Sequence, residues 1–194
     1  MFRPLLLIGI SEHNVDVDND AINKIVLERE GIKLSEQKGN TFTEDSYLPR
    51  SEPAITDLLY KIDGVIQKEV HPLLETYNEW AHILHPNEQT MFHSHTRQGQ
   101  PPGISWVYYS KTPPNAGNIV WTFEAAANRV IQEATPEVGK LILFADFIPH
   151  FTKKNVSGDT RISISGNAQI PEEKLKQMDG MHNLFNYVGI FNGS

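Results

Sequence analysis

The chain contains no cysteine, which excludes disulfides, thiolate metal sites and cysteine nucleophiles. That absence fits a reducing compartment, and a cytoplasmic location is the expectation. No apolar run is long enough to span a bilayer. The stretch PLLLIGI at residues 4–10 is far too short, and it lacks the basic start and small-residue cleavage site of a signal peptide. It reads instead as an N-terminal β-strand. Basic excess is missing too: the net charge is -7 and no Lys/Arg stripe offsets it, so nucleic acid is not an expected partner. Internal repeats and low-complexity linkers are absent, and 194 residues are enough for one domain with a real core.

What is present divides the chain by its periodicity. Asp18 or Asn19 can cap a helix that carries Ile22, Ile25 and Val26 on one face and ends at Gly31. Residues 32–50 read as a loop. Ser51-Glu52-Pro53 is a helix start, and Ile55, Leu58, Leu59, Ile62, Val65 and Ile66 follow at helical spacing, a stripe suited to packing on a sheet. From Tyr77 onward the period becomes two. Strands are expected at 77–84, 89–95, 104–110, 118–123, 140–147 and 160–169, separated by Gly and Pro clusters. The expected fold is α+β, mainly β: a double-stranded β-helix, or jelly roll, with two N-terminal helices packed on one sheet. The expected division is 1–75 for the N-terminal strand and helices, 76–170 for the jelly-roll core and 171–194 for a C-terminal tail. The tail carries Phe185, Tyr187 and Phe191, which suit covering the barrel or forming a homodimer contact.

Of eight histidines, most need no special role. His13 lies in a polar, acidic stretch, His71 near a helix end, and His182 in the tail; His82 and His85 flank a strand. His93 and His95 differ because residues i and i+2 of a strand point to one face, and neutral imidazoles there can share an ion such as iron, zinc, copper or nickel. An HxH pair also arises on solvated strands. His150, just after the apolar run 140–149, offers a third imidazole. Downstream, Arg161, Ser163, Ser165 and Asn167 alternate with apolar residues. They form either a solvated strand face or a polar wall inside a barrel, where Arg161 can clamp a carboxylate.

Taken in order, HSH at 93–95, GISWVYYS at 103–110, GNIVWTFE at 117–124, GKLILFADFIPH at 139–150 and RISISGN at 161–167 resemble the iron- and 2-oxoglutarate-dependent oxygenase superfamily. The resemblance is strongest to its prolyl-hydroxylase-like branch of marine bacteria and phages, and it covers about half of the chain. It implies Fe(II) held by His93 and His150, 2-oxoglutarate held through its distal carboxylate by Arg161 with Ser163 as helper, and Tyr108 or Tyr109 lining the cosubstrate pocket. The partners it implies are that small-molecule cosubstrate and O2. One departure stands out: His95 replaces the carboxylate of the usual facial triad. Asp146 and Glu124 lie on neighbouring strands but away from the expected ligand position. The activity implied is hydroxylation of a peptide or small-molecule substrate. Two rivals remain: a cupin-type three-histidine dioxygenase without 2-oxoglutarate, and a non-catalytic jelly-roll binding or structural protein. The segment 96–102, after the metal pair, is either a lid or a passive connection.

Overall fold

The computed structural model describes residues 9–29, 41–42, 48–95, 103–125, 128–171 and 173–174. Asp18 caps the first helix, α1 (Asn19–Glu28), by accepting the Ala21 N–H at 3.0 Å, which satisfies one of the free donors of a helix start. The helix stops short of the expected end at Gly31, which lies outside the described residues. Pro53 opens α2 (Pro53–Glu69) in the first turn, where its missing N–H leaves no bond unmade. Ile55, Leu58, Leu59, Ile62 and Ile66 are buried along one face of α2.

The described residues form nine strands: β1 (Ile10–Asn14), β2 (Thr41–Phe42), β3 (Glu75–Leu84), β4 (Ile104–Lys111), β5 (Ile119–Ala125), β6 (Asn128–Ala134), β7 (Lys140–Ala145), β8 (His150–Thr152) and β9 (Arg161–Gln169). They form two antiparallel sheets, one in the order β1-β7-β4-β9-β3-β2 and one in the order β6-β5-β8. Both helices pack on the outer face of the large sheet, where Ile22, Ile62 and Leu58 meet Ile83, Ile164 and Leu143 in one buried cluster. On the inner face Val107, Tyr109, Ile142 and Phe144 meet Ile119 and Trp121 of the small sheet. Two packed sheets with helices covering one outside face are the architecture expected of an α+β jelly roll.

Several local readings change. The expected strand at 89–95 is a single bridge, with His93 and His150 exchanging backbone bonds of 3.0 and 2.8 Å. The next bond joins His95 to Asp146, a step of two residues on one side and four on the other. The turn Phe147-Ile148-Pro149 takes up the difference, and proline has no N–H to extend a ladder. Strand β2 interrupts the expected loop at 32–50, pairing with Ile83 and His82 of β3; two residues are too few to show a period. Strands β6 and β8 lie outside the expected set, and β1 starts at Ile10, where the expected N-terminal strand at 4–10 ends; residues 4–8 of that strand lie outside the described residues. Residues 129–133 are exposed, and an edge strand without a buried face lacks the alternation that marks strands in a sequence.

Strand β3 carries a bulge. Tyr77 pairs with Asn167 and Trp80 with Ser165, so three steps on β3 match two on β9. Asn78 absorbs the extra residue in a left-handed conformation, φ 53°, which asparagine tolerates better than most residues. Beyond the bulge every side chain changes face: Ala81 and Ile83 enter the helix-side cluster, while Trp80 and His82 line the cavity between the sheets. Among the described residues no helix is long and apolar enough to cross a membrane.

Candidate metal centre

His93, His95 and His150 converge at one end of the space between the sheets, with ligand nitrogens that all lie within 4.8 Å of one another. His150 starts β8, and its backbone bridge fixes His93 opposite. The Nε2 atoms of His95 and His150 are 3.3 Å apart. Two nitrogens at about 2.0–2.1 Å from one ion, at right angles, stand about 3 Å apart, so this pair is already near chelating separation. His93 Nδ1 lies 2.7 Å from the Met91 carbonyl, and His150 Nδ1 lies 2.9 Å from the Ile148 carbonyl. A carbonyl only accepts, so each Nδ1 carries the proton and each Nε2 presents a lone pair to the shared point. Burial, and then repulsion from His93, push the His150 imidazole down to about 3. It is therefore neutral at ordinary pH, the form a metal requires.

Farther along the cavity stand Arg161, Ser163 and Tyr109. Arg161 is 1% exposed, and its Nη1 donates to the carbonyls of Gly117 at 2.8 Å and Ala116 at 3.4 Å. Among the described residues no carboxylate pairs with it, and the Tyr109 ring, 5.6 Å from the guanidinium carbon, is its aromatic neighbour. Burial lowers its pKa. The Arg161 Nε, the Ser163 hydroxyl and the Tyr109 hydroxyl are all buried with no hydrogen-bond partner. Three unpaired donors beside an uncompensated buried cation are costly unless an anionic acceptor joins them. A carboxylate supplies the charge and lone pairs that this group lacks.

Of Tyr108 and Tyr109, it is Tyr109 that lines the cavity. Tyr108 does not reach the cavity, because neighbouring residues of a strand face opposite ways. Its hydroxyl donates to Asn19 Oδ1 at 2.7 Å, in the helix-side core. Burial pushes the Tyr109 hydroxyl up to about 12, so it remains a donor. Ser165 also lines the cavity, whereas Asn167 accepts the Ser105 hydroxyl at 2.9 Å.

His82 is the site-facing residue that the sequence left in the background. It is buried, lines the same cavity and accepts the Trp80 Nε1–H at 2.7 Å. Burial, and then the Arg161 charge and the three other histidines, hold its pKa well below the usual imidazole range. Its signal was hidden by the bulge, which moves it to the cavity face. Asp146 and Glu124 stand outside the histidine cluster: Asp146 Oδ2 accepts the Gly103 N–H at 2.9 Å, and Glu124 pairs with Arg129 at the surface. His71 Nδ1 accepts the Leu73 N–H in the turn after α2. His85 pairs with the Thr160 hydroxyl, and His13 with the Ser11 hydroxyl. His182, the tail beyond residue 174 and the segment 96–102 lie outside the described residues.

No protein-family model matches the sequence, and no curated protein sequence matches it. Solved structures do. A Pseudomonas putida prolyl-4-hydroxylase superposes with a TM-score of 0.57 at 18% identity, over 84% of this chain and 94% of that one. A Trichoplax adhaerens prolyl hydroxylase, in complex with a hypoxia inducible factor oxygen degradation domain peptide fragment, gives a TM-score of 0.63 at 16% identity, over 89% and 88%. HygX from Streptomyces hygroscopicus, with nickel, 2-oxoglutarate and hygromycin B bound, gives a TM-score of 0.65 at 11% identity, over 85% and 84%. At such identities the likeness is one of fold. This chain has the α+β double-stranded β-helix fold of the iron- and 2-oxoglutarate-dependent oxygenases, with prolyl hydroxylases among its structural neighbours.

Proposed function

We propose that residues 1–194 form a single Fe(II)- and 2-oxoglutarate-dependent oxygenase domain that hydroxylates a peptide or small-molecule C–H bond. The observation that carries this reading is the buried guanidinium of Arg161, unpaired with any described carboxylate, in the same cavity as the three-histidine cluster. His93, His95 and His150 would hold the iron. Arg161, Ser163 and Tyr109 would hold the distal carboxylate of 2-oxoglutarate, each through a donor that has no partner among the described residues. Bound iron and 2-oxoglutarate together supply oxidative decarboxylation coupled to oxygen insertion. The chain's part is orientation: the Nδ1 bonds of His93 and His150 fix the ring tautomers, and Phe144 and Ile119 keep the cavity wall apolar.

The absence of Asp146 and Glu124 from the cluster favours a second reading, a three-histidine dioxygenase that uses no 2-oxoglutarate. Arg161 separates the two, since only the first gives it an anion to bind. Anaerobic Fe(II) titration with and without 2-oxoglutarate is the test, followed through the weak visible charge-transfer band of the chelate. A band in the unaltered protein that disappears in Arg161→Ala supports the proposal. Iron uptake without the band favours the second reading, and no iron uptake overturns both.

A further inference from the structure

Trp80 stacks on His95, with ring centroids 5.3 Å apart and planes 20° from parallel. His95 in turn stacks on His150 at 5.1 Å and 4°. The indole is itself held, since its Nε1–H donates to His82 Nε2 at 2.7 Å. His82 is buried and sits opposite Ser163 on β9. Trp80 therefore joins β3, paired with β9 at this point, to a histidine in the irregular segment after β3. It reaches the cavity face because of the bulge at Asn78; regular alternation from Tyr77 would send it to the helices. The bulge is stapled from outside. The Arg50 guanidinium donates to the Thr76 carbonyl at 2.8 Å on one flank and to both carboxylate oxygens of Glu79 on the other. Glu79 is 2% exposed, so the pair is shielded from solvent on that side.

We infer that Trp80 is the positioning residue of the third metal ligand: its indole, aimed by the Arg50-stapled bulge and anchored on His82, sets the plane of the His95 ring. The inference rests on the metal reading above. His93 and His150 take their orientation from backbone carbonyls in their own segments. His95 stacks on an aromatic face of another strand. Groups that orient a ligand without touching the ion commonly change metal affinity by about 10–100-fold. Stacking needs a flat ring and the His82 anchor needs the N–H, so phenylalanine should keep the stacking without the anchor and leucine should keep neither.

Co(II) is the probe, added anaerobically to the full chain without 2-oxoglutarate and followed by its visible d–d bands. Trp80→Leu should weaken Co(II) binding about tenfold and alter the band pattern as His95 leaves its place. Trp80→Phe, which keeps the stacking ring and loses only the His82 anchor, should recover most of the affinity and the original band pattern. A Trp80→Leu protein with the original affinity and spectrum overturns the inference while leaving the metal reading intact. If the unaltered protein takes up no Co(II), the metal reading itself fails. A second measurement needs no variant: in the diamagnetic Zn(II) form, the His95 ring protons should resonate upfield of those of His93, because they lie over the indole face. Should Trp80→Leu fail to fold, that shift decides the matter, and its absence overturns the inference.

Discussion

Tyr108 and Tyr109 are neighbours in the chain and belong to different cores: one hydroxyl is bonded to Asn19 beside α1, the other is buried and unpartnered in the cavity. Phenylalanine at each position should separate stability from binding. Tyr108→Phe loses a made hydrogen bond and should cost about 1 kcal/mol in chemical denaturation, with 2-oxoglutarate affinity unchanged. Tyr109→Phe removes an unsatisfied hydroxyl, so the ligand-free protein should be as stable or more so. Its 2-oxoglutarate affinity should fall about fivefold, the worth of one hydrogen bond. Equal effects of the two variants on binding would contradict the placement of the cosubstrate.

Arg161 should trade stability for ligand binding. A buried cation without an anion destabilises the ligand-free fold. Arg161→Met should therefore raise its unfolding midpoint by about 2–4 °C, the equivalent of about 1 kcal/mol at this chain length. The same variant should lose the stabilisation that 2-oxoglutarate gives the metal-loaded protein. A thermal melt with and without the cosubstrate measures both effects.

Gly117 supports Arg161 from the turn before β5. Its φ is +85°, and a Cβ there would stand 2.1 Å from the Lys153 carbonyl oxygen, while its own carbonyl accepts from Arg161. Gly117→Ala combines backbone strain with a main-chain clash and should cost about 2–4 kcal/mol. Because the turn must shift, 2-oxoglutarate binding should weaken as well. Gly64→Ala is the control: nothing lies within 4 Å of a Cβ at that helical position, and alanine is the better helix former.

Acid should weaken the metal-free fold through His82. Its folded-state pKa lies well below 6.5 because of burial and the nearby charges of Arg161, His93, His95 and His150. The unfolded chain therefore binds more protons than the native one below pH 6.5, and stability falls as pH drops from that point toward the native-state pKa. Above pH 6.5 this contribution is complete. Denaturation midpoints from pH 7.5 down to 4.5 should decline in the unaltered protein, and the decline should be shallower in His82→Gln. Equal slopes would mean that His82 does not carry the effect.

Much of the site was legible because its parts are local. The HxH pair, the histidine after an apolar strand and the alternation Arg161-Ser163-Ser165 are short-range patterns, and the structure gathers those residues into one cavity. The extent of α2 was legible for the same reason: Pro53 marks its start and the 3.6-residue spacing marks its buried face. Register was not legible. Nothing local to 75–84 announces a bulge: the residues that flank Asn78 are held by Arg50 and by β9, both distant in sequence. With an even period assumed, His82 falls on the wrong face.

The sequence by itself determined the element types, the two helices, most strands and the pool of imidazole and guanidinium groups, because periodicity, caps and turn residues act over a few residues. Only the tertiary structure decided which side chains share the cavity. The small sheet and its edge strand β6, the choice of Tyr109 over Tyr108, and the entry of Trp80 and His82 beside the histidines all depend on pairings between distant segments. A shift of one residue in such a pairing sends every following side chain to the opposite face.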